Sequence, residues 1–264
     1  MSPGPTVRIA TFNILHGRAP SERFVDEERY AAAIASLDAD VLALQEVDRS
    51  QPRSGCADQT ALAAEAMGAT HHRFEPALWG TPGATWVPAD GHERPGAAAY
   101  GIALLSRWPV LGWHAFPLPR LRTQAPYLHK EPMRPVWVRE EPRTALVAEV
   151  ETPIGRIRVV TTHLSFLPWW NGHQLRALGR RVGRSDVPTI LAGDLNLRPR
   201  RAVRLTGMRP VASALTFPSP DPTAQLDHLL VAGGLRPVSG EAVALPVSDH
   251  LALVADLRTD SSPS

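Results

Sequence analysis

Most apolar segments of this chain are short and stop at a polar residue, a pattern that predicts β-strands. Val7–Phe12 is rich in β-branched residues, and Val41–Leu44 is an uninterrupted apolar run. Pro188–Ala192 stops at Gly193 and has the character of a buried central strand. The same pattern predicts further strands over His71–Ala77, Tyr100–Arg107, Val110–Phe116, Arg143–Glu149, Arg156–Thr162, Gln225–Val231 and Leu251–Leu257.

Other segments predict helices, loops and strand pairings. Apolar residues recur at helical spacing over Glu27–Leu37 and Trp170–Gly183, and Gln59–Met67 is rich in alanine, so we expect three helices. We expect Val110–Phe116 to pair antiparallel with the strand before it, and the strands on either side of Thr152–Gly155 to form a hairpin. Glycine and proline predict two loops, Trp79–Gly96 and Pro117–Glu141, of which the second is either a flap facing the substrate or a packed surface loop.

Length and composition predict one globular domain. The chain has 264 residues, of which 44% are hydrophobic and 20% charged, and it shows no internal repeat or linker. We therefore expect a single domain over residues 1–264, with a core from about residue 7 to 257, that folds without disulfides. Cys56 is the single cysteine. We expect a monomer.

Net charge and hydropathy exclude few classes of function. The formal charge is +2, which does not favour non-specific duplex binding, and no apolar run reaches the roughly 18 residues of a membrane span. No leader segment is evident at the N-terminus, so a soluble, cytoplasmic protein is the expectation. Arginines cluster over 176–184 and 198–204, where they form either a solvated surface or a track for phosphates.

The candidate chemistry begins just after the central strand, at Asp194 and Asn196. If the chain stays extended there, residues two apart point to the same side, and a carboxylate beside a carboxamide can hold a hard metal ion or orient a water. Gly193–Asn196 is also good turn sequence, so a purely structural turn is the alternative.

Polar residues of the same kind follow or interrupt other apolar strands. At the end of a strand, a histidine or a glutamate often has a purely structural role. An aspartate inside an apolar strand, by contrast, requires a partner for its charge. Oxygen ligands dominate and cysteine is absent from the set, which favours Mg²⁺ or Mn²⁺ over structural zinc. The set is Asn13, Glu46, His163, Asp194, Asn196, Asp227, Asp249 and His250.

Taken together, these motifs resemble the endonuclease/exonuclease/phosphatase superfamily, which includes deoxyribonuclease I-like nucleases, neutral sphingomyelinases and inositol-polyphosphate 5-phosphatases. The likeness runs from about Val7 to Leu257 and is strongest to small bacterial metal-dependent hydrolases. It implies a four-layer α/β sandwich, with two packed, mostly antiparallel sheets between helices. The motifs are Thr-Phe-Asn13, Leu-Gln-Glu46-Val, Gly-Ile-Ala-Leu-Leu-Ser106-Arg, Thr-His163-Leu, Gly-Asp194-Leu-Asn196, Leu-Asp227-His and Ser-Asp249-His250.

The resemblance also implies ligands for a metal ion. Glu46 is similar to the main metal-binding glutamate of the superfamily, and Asn13 and Asp249 are similar to supporting ligands. The implied cofactor is Mg²⁺, with Mn²⁺ as a substitute.

Further roles follow from the same likeness. Asp194 and Asn196 match the pair that activates water and holds the phosphate, and His250 matches the catalytic histidine. Asp227 would orient His250, because a carboxylate partner fixes the ring tautomer and favours imidazolium. The donors implied for the scissile phosphate are His163 and Arg143.

The implied activity is metal-dependent hydrolysis of a phosphodiester or phosphomonoester by an activated water. The substrate stays open between nucleic acid and a phospholipid or small-molecule phosphate. Tyr100 and Tyr127 are only candidates for the active-site tyrosine of abasic-site endonucleases, and Trp169 and Trp170 suit lipid contact, base stacking or packing. The alternative is a catalytically inactive module of the same fold that binds phosphate or nucleic acid.

Overall fold

The computed structural model describes residues 4–92, 94–130 and 133–260. Within these ranges the chain forms fifteen β-strands and four α-helices. Two large sheets pack face to face and helices cover both outer faces, so the predicted four-layer α/β sandwich is confirmed.

The first sheet has seven strands in the order β14–β15–β1–β2–β5–β3–β4. β1 and β2 are parallel, and every other neighbouring pair is antiparallel. The strands are β1 (Val7–Asn13), β2 (Val41–Arg49), β3 (His71–Gly80), β4 (Trp86–Pro88), β5 (Ala99–Ser106), β14 (Leu235–Val243) and β15 (Ala252–Thr259).

The second sheet has six strands in the order β12–β13–β11–β10–β9–β6, and only β10 and β11 are parallel. The remaining two strands, β7 (Ala125–Lys130) and β8 (Met133–Val138), form a separate two-stranded ribbon. The strands of the second sheet are β6 (Val110–Pro117), β9 (Thr144–Thr152), β10 (Gly155–His163), β11 (Thr189–Asp194), β12 (Arg209–Pro210) and β13 (Asp227–Ala232).

Two helices cover each sheet. The first two begin at aspartate caps: Asp26 accepts from the backbone N–H of Arg29, and Asp58 accepts from those of Thr60 and Ala61. The helices are α1 (Glu27–Ser36), α2 (Gln59–Met67), α3 (Trp170–Val182) and α4 (Pro199–Thr206), and two short 3-10 helices span Leu15–Gly17 and Pro52–Ser54.

Both faces of the central strands are buried. In β1, Val7 and Ile9 belong to the apolar layer between the sheets, whereas Ala10 and Phe12 pack under the first pair of helices. Burial on both faces explains why these strands are apolar runs rather than alternations of apolar and polar residues. On the far side, Leu191 belongs to the layer under α3 and α4.

The prediction that Val110–Phe116 pairs with the preceding strand is wrong. β6 pairs with β9 in the second sheet, because both edges of β5 are already occupied by β2 and β3. The tight turn after Ser106, whose hydroxyl bonds the backbone N–H and carbonyl of Trp108, therefore carries the chain from one sheet to the other.

Two predicted loops contain strands. Trp79–Gly96 includes β4, and Pro117–Glu141 includes the β7–β8 ribbon, so neither segment is a loop without regular structure. Whether the second segment faces a substrate as a flap stays a prediction. Pro126 and Pro135 are tolerated because each strand of an isolated ribbon has a free edge, where a missing N–H costs nothing. The two arginine clusters lie mostly on α3 and α4, with Arg184 just after α3 and Arg198 just before α4. Neither α4 nor β14 was predicted.

The two parallel pairs end at the same edge of the sandwich. β1 and β2 are paired as far as Asn13 and Gln45, and β10 and β11 as far as His163 and Asp194. Below this edge a chain of buried hydrogen bonds joins the sheets: Thr11 donates to Gln45 Oε1 at 3.2 Å, and Gln45 Nε2 donates to Thr161 Oγ1 at 3.3 Å. The ends of β1, β10 and β11, and the point at which the pairing of β2 with β1 stops, therefore lie at one edge above this polar link.

Candidate active site

Glu46 lies inside a strand rather than after one, contrary to the sequence prediction. The pairing of β2 with β5 skips one residue between Gln45 and Val47, which makes Glu46 the extra residue of a β-bulge. Its φ is +58°, a left-handed conformation that non-glycine residues seldom adopt. The bulge turns the carboxylate out of the strand alternation, toward Asn13, whose Nδ2 donates to Glu46 Oε1 at 3.1 Å.

Asp194 is the last residue of β11, and Asn196 lies in the turn that follows, so the chain is not extended through both residues. Asn196 has a φ of +50°, and its backbone N–H donates to Asp194 Oδ1 at 2.9 Å. The turn is nevertheless part of the site, because Asn196 Nδ2 lies 3.4 Å from His163 Nε2. The predicted turn is present and brings Asn196 close to His163, while a role of Asp194 and Asn196 in holding a metal ion or orienting a water stays a prediction.

Asp194 is the point where the predicted residues meet. Its Oδ2 accepts from Asn13 Nδ2 at 3.1 Å, and it lies 3.4 Å from His163 Nε2 and 4.0 Å from His250 Nε2. Asp194 is only 2% exposed. Burial and then the nearby Asp227 raise the pKa of this carboxyl to about 7.

Asp227 has the partner that its buried position requires. His250 Nδ1 donates to Asp227 Oδ2 at 2.9 Å, and Phe217 covers the imidazole with its ring centroid at 4.8 Å. Burial alone would lower the pKa of His250, but the carboxylates of Asp227, Asp194 and Asp249 raise it to about 10. His250 is therefore an imidazolium with its Nε2 directed to Asp194.

His163 has the opposite electrostatic character. It lies at the end of β10 and is buried, and burial, Arg143 and His250 together hold its pKa well below the usual value. Arg143 is itself buried and donates to Glu140 Oε1 at 3.3 Å. The site thus contains one neutral and one charged imidazole, with a buried guanidinium near the neutral one.

The acidic groups of the site fit a hard divalent cation. Burial is the main cause that raises the pKa of Glu46, and Asp249 adds to the rise, while the Asn13 hydrogen bond, His250 and Arg143 oppose it. A cation bound at this carboxylate would stabilise its charged form. Asn13 turns its Nδ2 toward Glu46 and Asp194, while its Oδ1 accepts from the backbone N–H of Leu15 at 3.2 Å. Its oxygen therefore faces the backbone in this conformation, and its amide nitrogen bridges the two carboxylates.

A second cluster, of two aspartates and a histidine, is accounted for by hydrogen bonding among its own members. Ligand atoms of Asp194, Asp227 and His250 lie within 4.8 Å of one another. One nitrogen of His250 is already bonded to Asp227, so the group is a carboxylate–imidazole–carboxylate chain. Carboxylate oxygens around Glu46 suit Mg²⁺ better than this histidine-containing cluster does.

A model of the endonuclease/exonuclease/phosphatase family matches residues 10–250, a range that includes every site residue from Asn13 to His250. The chain belongs to this family. Its members act on phosphoester bonds, so the chain is related to phosphoesterase-type hydrolases. No curated protein sequence matches the chain.

Solved structures of the family share the fold. An endonuclease/exonuclease/phosphatase from Beutenbergia cavernae is 26% identical, with a TM-score of 0.70 over 98% of this chain and 72% of that one. Sphingomyelinase C from Streptomyces griseocarneus is 16% identical, with a TM-score of 0.60 over 96% and 99%. The catalytic domain of human Nocturnin is 19% identical, with a TM-score of 0.61 over 98% and 96%.

Three residues that contact the candidate site residues were not assigned a role from the sequence. Ser248 has a φ of +72°, and its hydroxyl donates to the Asn13 carbonyl at 2.6 Å and accepts from the His250 N–H at 3.0 Å. Asn171 Nδ2 donates to the Asn196 carbonyl at 2.8 Å. Phe217 packs on His250. Ser248 directly precedes Asp249-His250, but the residues around it do not predict a left-handed backbone conformation.

None of the helices in the described ranges combines the length and hydropathy that a bilayer span requires.

Proposed function

We propose that the chain is a Mg²⁺-dependent phosphoesterase in which a water held at Asp194 attacks phosphorus. The observation that supports this most strongly is the convergence on one carboxylate oxygen, Asp194 Oδ2. Asn13, the neutral His163 and the His250 imidazolium all lie within 4.0 Å of it. Two imidazoles of opposite protonation on either side of a base suit a reaction that moves protons and builds negative charge.

The ion would be held at Glu46, with Asp249 and Asn13 as supporting residues. Asn13 can serve as a ligand if its amide rotates to present Oδ1, and otherwise it positions the two carboxylates. When bound, Mg²⁺ would supply a Lewis acid for the phosphoryl oxygens. Its charge would also lower the raised pKa of Glu46.

Asp194 would act as the base or water-orienting group. A carboxyl group with a pKa of about 7 accepts a proton far more readily than an ordinary aspartate does. The hydrogen bond from the backbone of Asn196 fixes its Oδ1, which leaves Oδ2 directed toward the histidines. Asp194 is thus oriented before substrate arrives.

His250, His163 and Arg143 would stabilise the charge that develops on phosphate oxygens. His250 is cationic and cannot readily lose its proton beside Asp227, so it would serve as a fixed donor. His163 is neutral and donates without adding charge. The Asn196 amide and the Arg143 guanidinium complete the set of donors around the phosphate.

The alternative function is a module of the same fold that binds phosphate without turnover. The presence of a base, two imidazoles and the carboxylates for a cation in one cluster favours the enzyme. Substrate class stays open between a nucleic-acid phosphodiester and a lipid or small-molecule phosphoester.

The test is turnover of a panel of phosphoesters: supercoiled plasmid, phosphatidylcholine and 4-nitrophenyl phosphate, each with Mg²⁺ and with EDTA. Asp194→Ala should lower the rate by about 10³-fold or more. Asp186→Ala, an exposed aspartate before the same strand, should leave it unchanged. Folded wild-type protein that binds phosphate but hydrolyses none of the panel would support the alternative.

A further inference from the structure

On one face of the β7–β8 ribbon, the side chains of the described residues at 126, 128, 133, 135 and 137 are all apolar and exposed. Residues opposite each other in an antiparallel pair share a face, and Pro126 pairs with Trp137 while Leu128 pairs with Pro135. Met133 lies on the same face by alternation. Exposure reaches 77% for Met133, 69% for Trp137 and 55% for Leu128, and both prolines are exposed as well.

The opposite face of the ribbon is turned toward the protein. Ala125 is buried, and Tyr127, Val136 and Val138 are half-buried. Tyr127 makes an edge contact with the ring of Phe166, at a centroid distance of 5.1 Å. The ribbon is therefore already packed on one side, and the apolar face it presents to solvent is additional to what its own packing requires.

The ribbon is attached at the edge of the sandwich where the site lies. β6 ends at Pro117 and β9 begins at Thr144, and these two residues are paired, so the ribbon is an insertion between two adjacent strand ends. At its base the Leu118 N–H donates to the Arg143 carbonyl at 2.9 Å. Phe166, which touches the ribbon, follows His163 by three residues and is 39% exposed.

Exposed arginines lie on the ribbon and on the segment that leads into it. Arg134 belongs by alternation to the opposite side of the ribbon from Trp137, but it is exposed. Arg122 is exposed and Arg120 is half-exposed, and none of the three has an ion-pair partner among residues 4–92, 94–130 and 133–260. The acidic residues described nearby are engaged. Glu140 is buried against Arg143, and Glu141 accepts from the backbone N–H of Gly83 at 2.8 Å.

We propose that the outward face of the β7–β8 ribbon docks the protein on an anionic lipid bilayer. A tryptophan, a methionine and a leucine on one face, with exposed arginines on the same ribbon and on the segment before it, match the chemistry of a membrane interface, where apolar side chains enter the acyl boundary and arginines meet phosphate headgroups. Attachment would hold the edge with the candidate active site against the membrane surface. The proposal concerns binding and does not require the lipid to be the substrate.

The size of the face favours a bilayer over another protein. Six residues per strand at 3.3 Å, across a width of about 10 Å, give roughly 200 Å². A stable protein interface buries about 800 Å² on each partner. Insertion into a bilayer needs no such complementary area, because a few large apolar side chains suffice when charge assists them.

The experiment is sedimentation of full-length protein with sucrose-loaded vesicles of phosphatidylcholine, with and without phosphatidylserine. We expect binding that increases with phosphatidylserine and falls about tenfold or more in Trp137→Ser/Met133→Ser. Val238→Ser, a half-exposed valine on β14, is the matched control and should bind as wild type. Arg122→Gln/Arg134→Gln should lose the preference for phosphatidylserine.

Folding is checked by thermal melting of each variant, and because the substituted side chains are exposed we expect unchanged curves. Vesicle binding that is unaltered in Trp137→Ser/Met133→Ser would overturn the proposal. Self-association of the wild type in the absence of lipid would also overturn the proposal if the same variant abolished it, because the face would then bind a second copy of the chain. Hydrolysis of soluble phosphoesters by the variants tests the proposed activity separately.

Discussion

Around Asp194, single residues are held in conformations and protonation states that an isolated side chain would not adopt. Glu46, Asn196 and Ser248 all have positive φ, and each orients a side chain that contacts or supports the site. The carboxyl of Asp194 has a raised pKa, whereas His163 is held neutral. Strain and perturbed titration at the same location are typical of a functional site.

Buried neutral histidines predict a loss of stability in acid. Burial, Arg53 and Arg18 lower the pKa of His16 to about 3 in the folded protein, while in the unfolded chain it is near the usual 6.5. The unfolded state therefore binds more protons between these values, so stability should be full above pH 6.5 and fall as pH decreases toward 3. One histidine contributes at most about 1.4 kcal/mol per pH unit.

Urea unfolding in EDTA between about pH 4.5 and pH 7 measures this dependence. His16→Gln should flatten it, and His72→Gln, an exposed histidine on β3, should not. Equal slopes for His16→Gln and wild type would show that His16 titrates normally in the folded protein.

At the scale of elements, the hydrophobic pattern predicts where strands stop, and the site residues follow those stops. Asn13, His163 and Asp194 could be found in this way because each ends a strand that is buried on both faces. The bulge at Glu46 could not, because one extra residue changes neither composition nor alternation. The pairing of β6 with β9 also escaped prediction, since it depends on which strand edges other strands leave free.

Ser248 is the link between two elements of the site, the end of β1 and the loop before β15. Ser248→Ala removes the hydrogen bonds to the Asn13 carbonyl and the His250 N–H, so both residues lose a fixed position. We expect kcat to fall about tenfold to a hundredfold with KM little changed, because positioning acts mainly in the transition state. The measurement is steady-state kinetics with Mg²⁺ present.

The control is Ser213→Ala, an exposed serine on the segment after β12, which should behave as wild type. A Ser248→Ala variant with wild-type kcat would show that Ser248 does not position the site residues for catalysis.

At the scale of the whole molecule, the site is built by bringing two sheets together. Asn13 and Glu46 come from the first sheet, and His163, Asp194 and Asp227 come from the second. The fold class followed from a resemblance in ordered motifs, but the register between the sheets is a tertiary property that no local pattern contains. The polar link through Gln45 is the buried contact that joins the sheets directly below the site.

Gln45→Leu should destabilise the protein by about 1–3 kcal/mol, because it leaves the buried hydroxyls of Thr11 and Thr161 without their partner. Adding Thr161→Val should recover part of the loss, since one unsatisfied hydroxyl is then removed. Urea unfolding of the single and double variants measures both effects. A double variant less stable than Gln45→Leu alone would contradict this role for the link.

The most direct test of the central claim is hydrolysis of bis(4-nitrophenyl) phosphate in ¹⁸O-labelled water with Mg²⁺, comparing wild type with Asp194→Asn. Attack of water at phosphorus predicts label in the phosphoryl product, none in 4-nitrophenol, and turnover that EDTA and Asp194→Asn both abolish. Label in 4-nitrophenol, or equal turnover by Asp194→Asn, would contradict a site in which Asp194 prepares the attacking water.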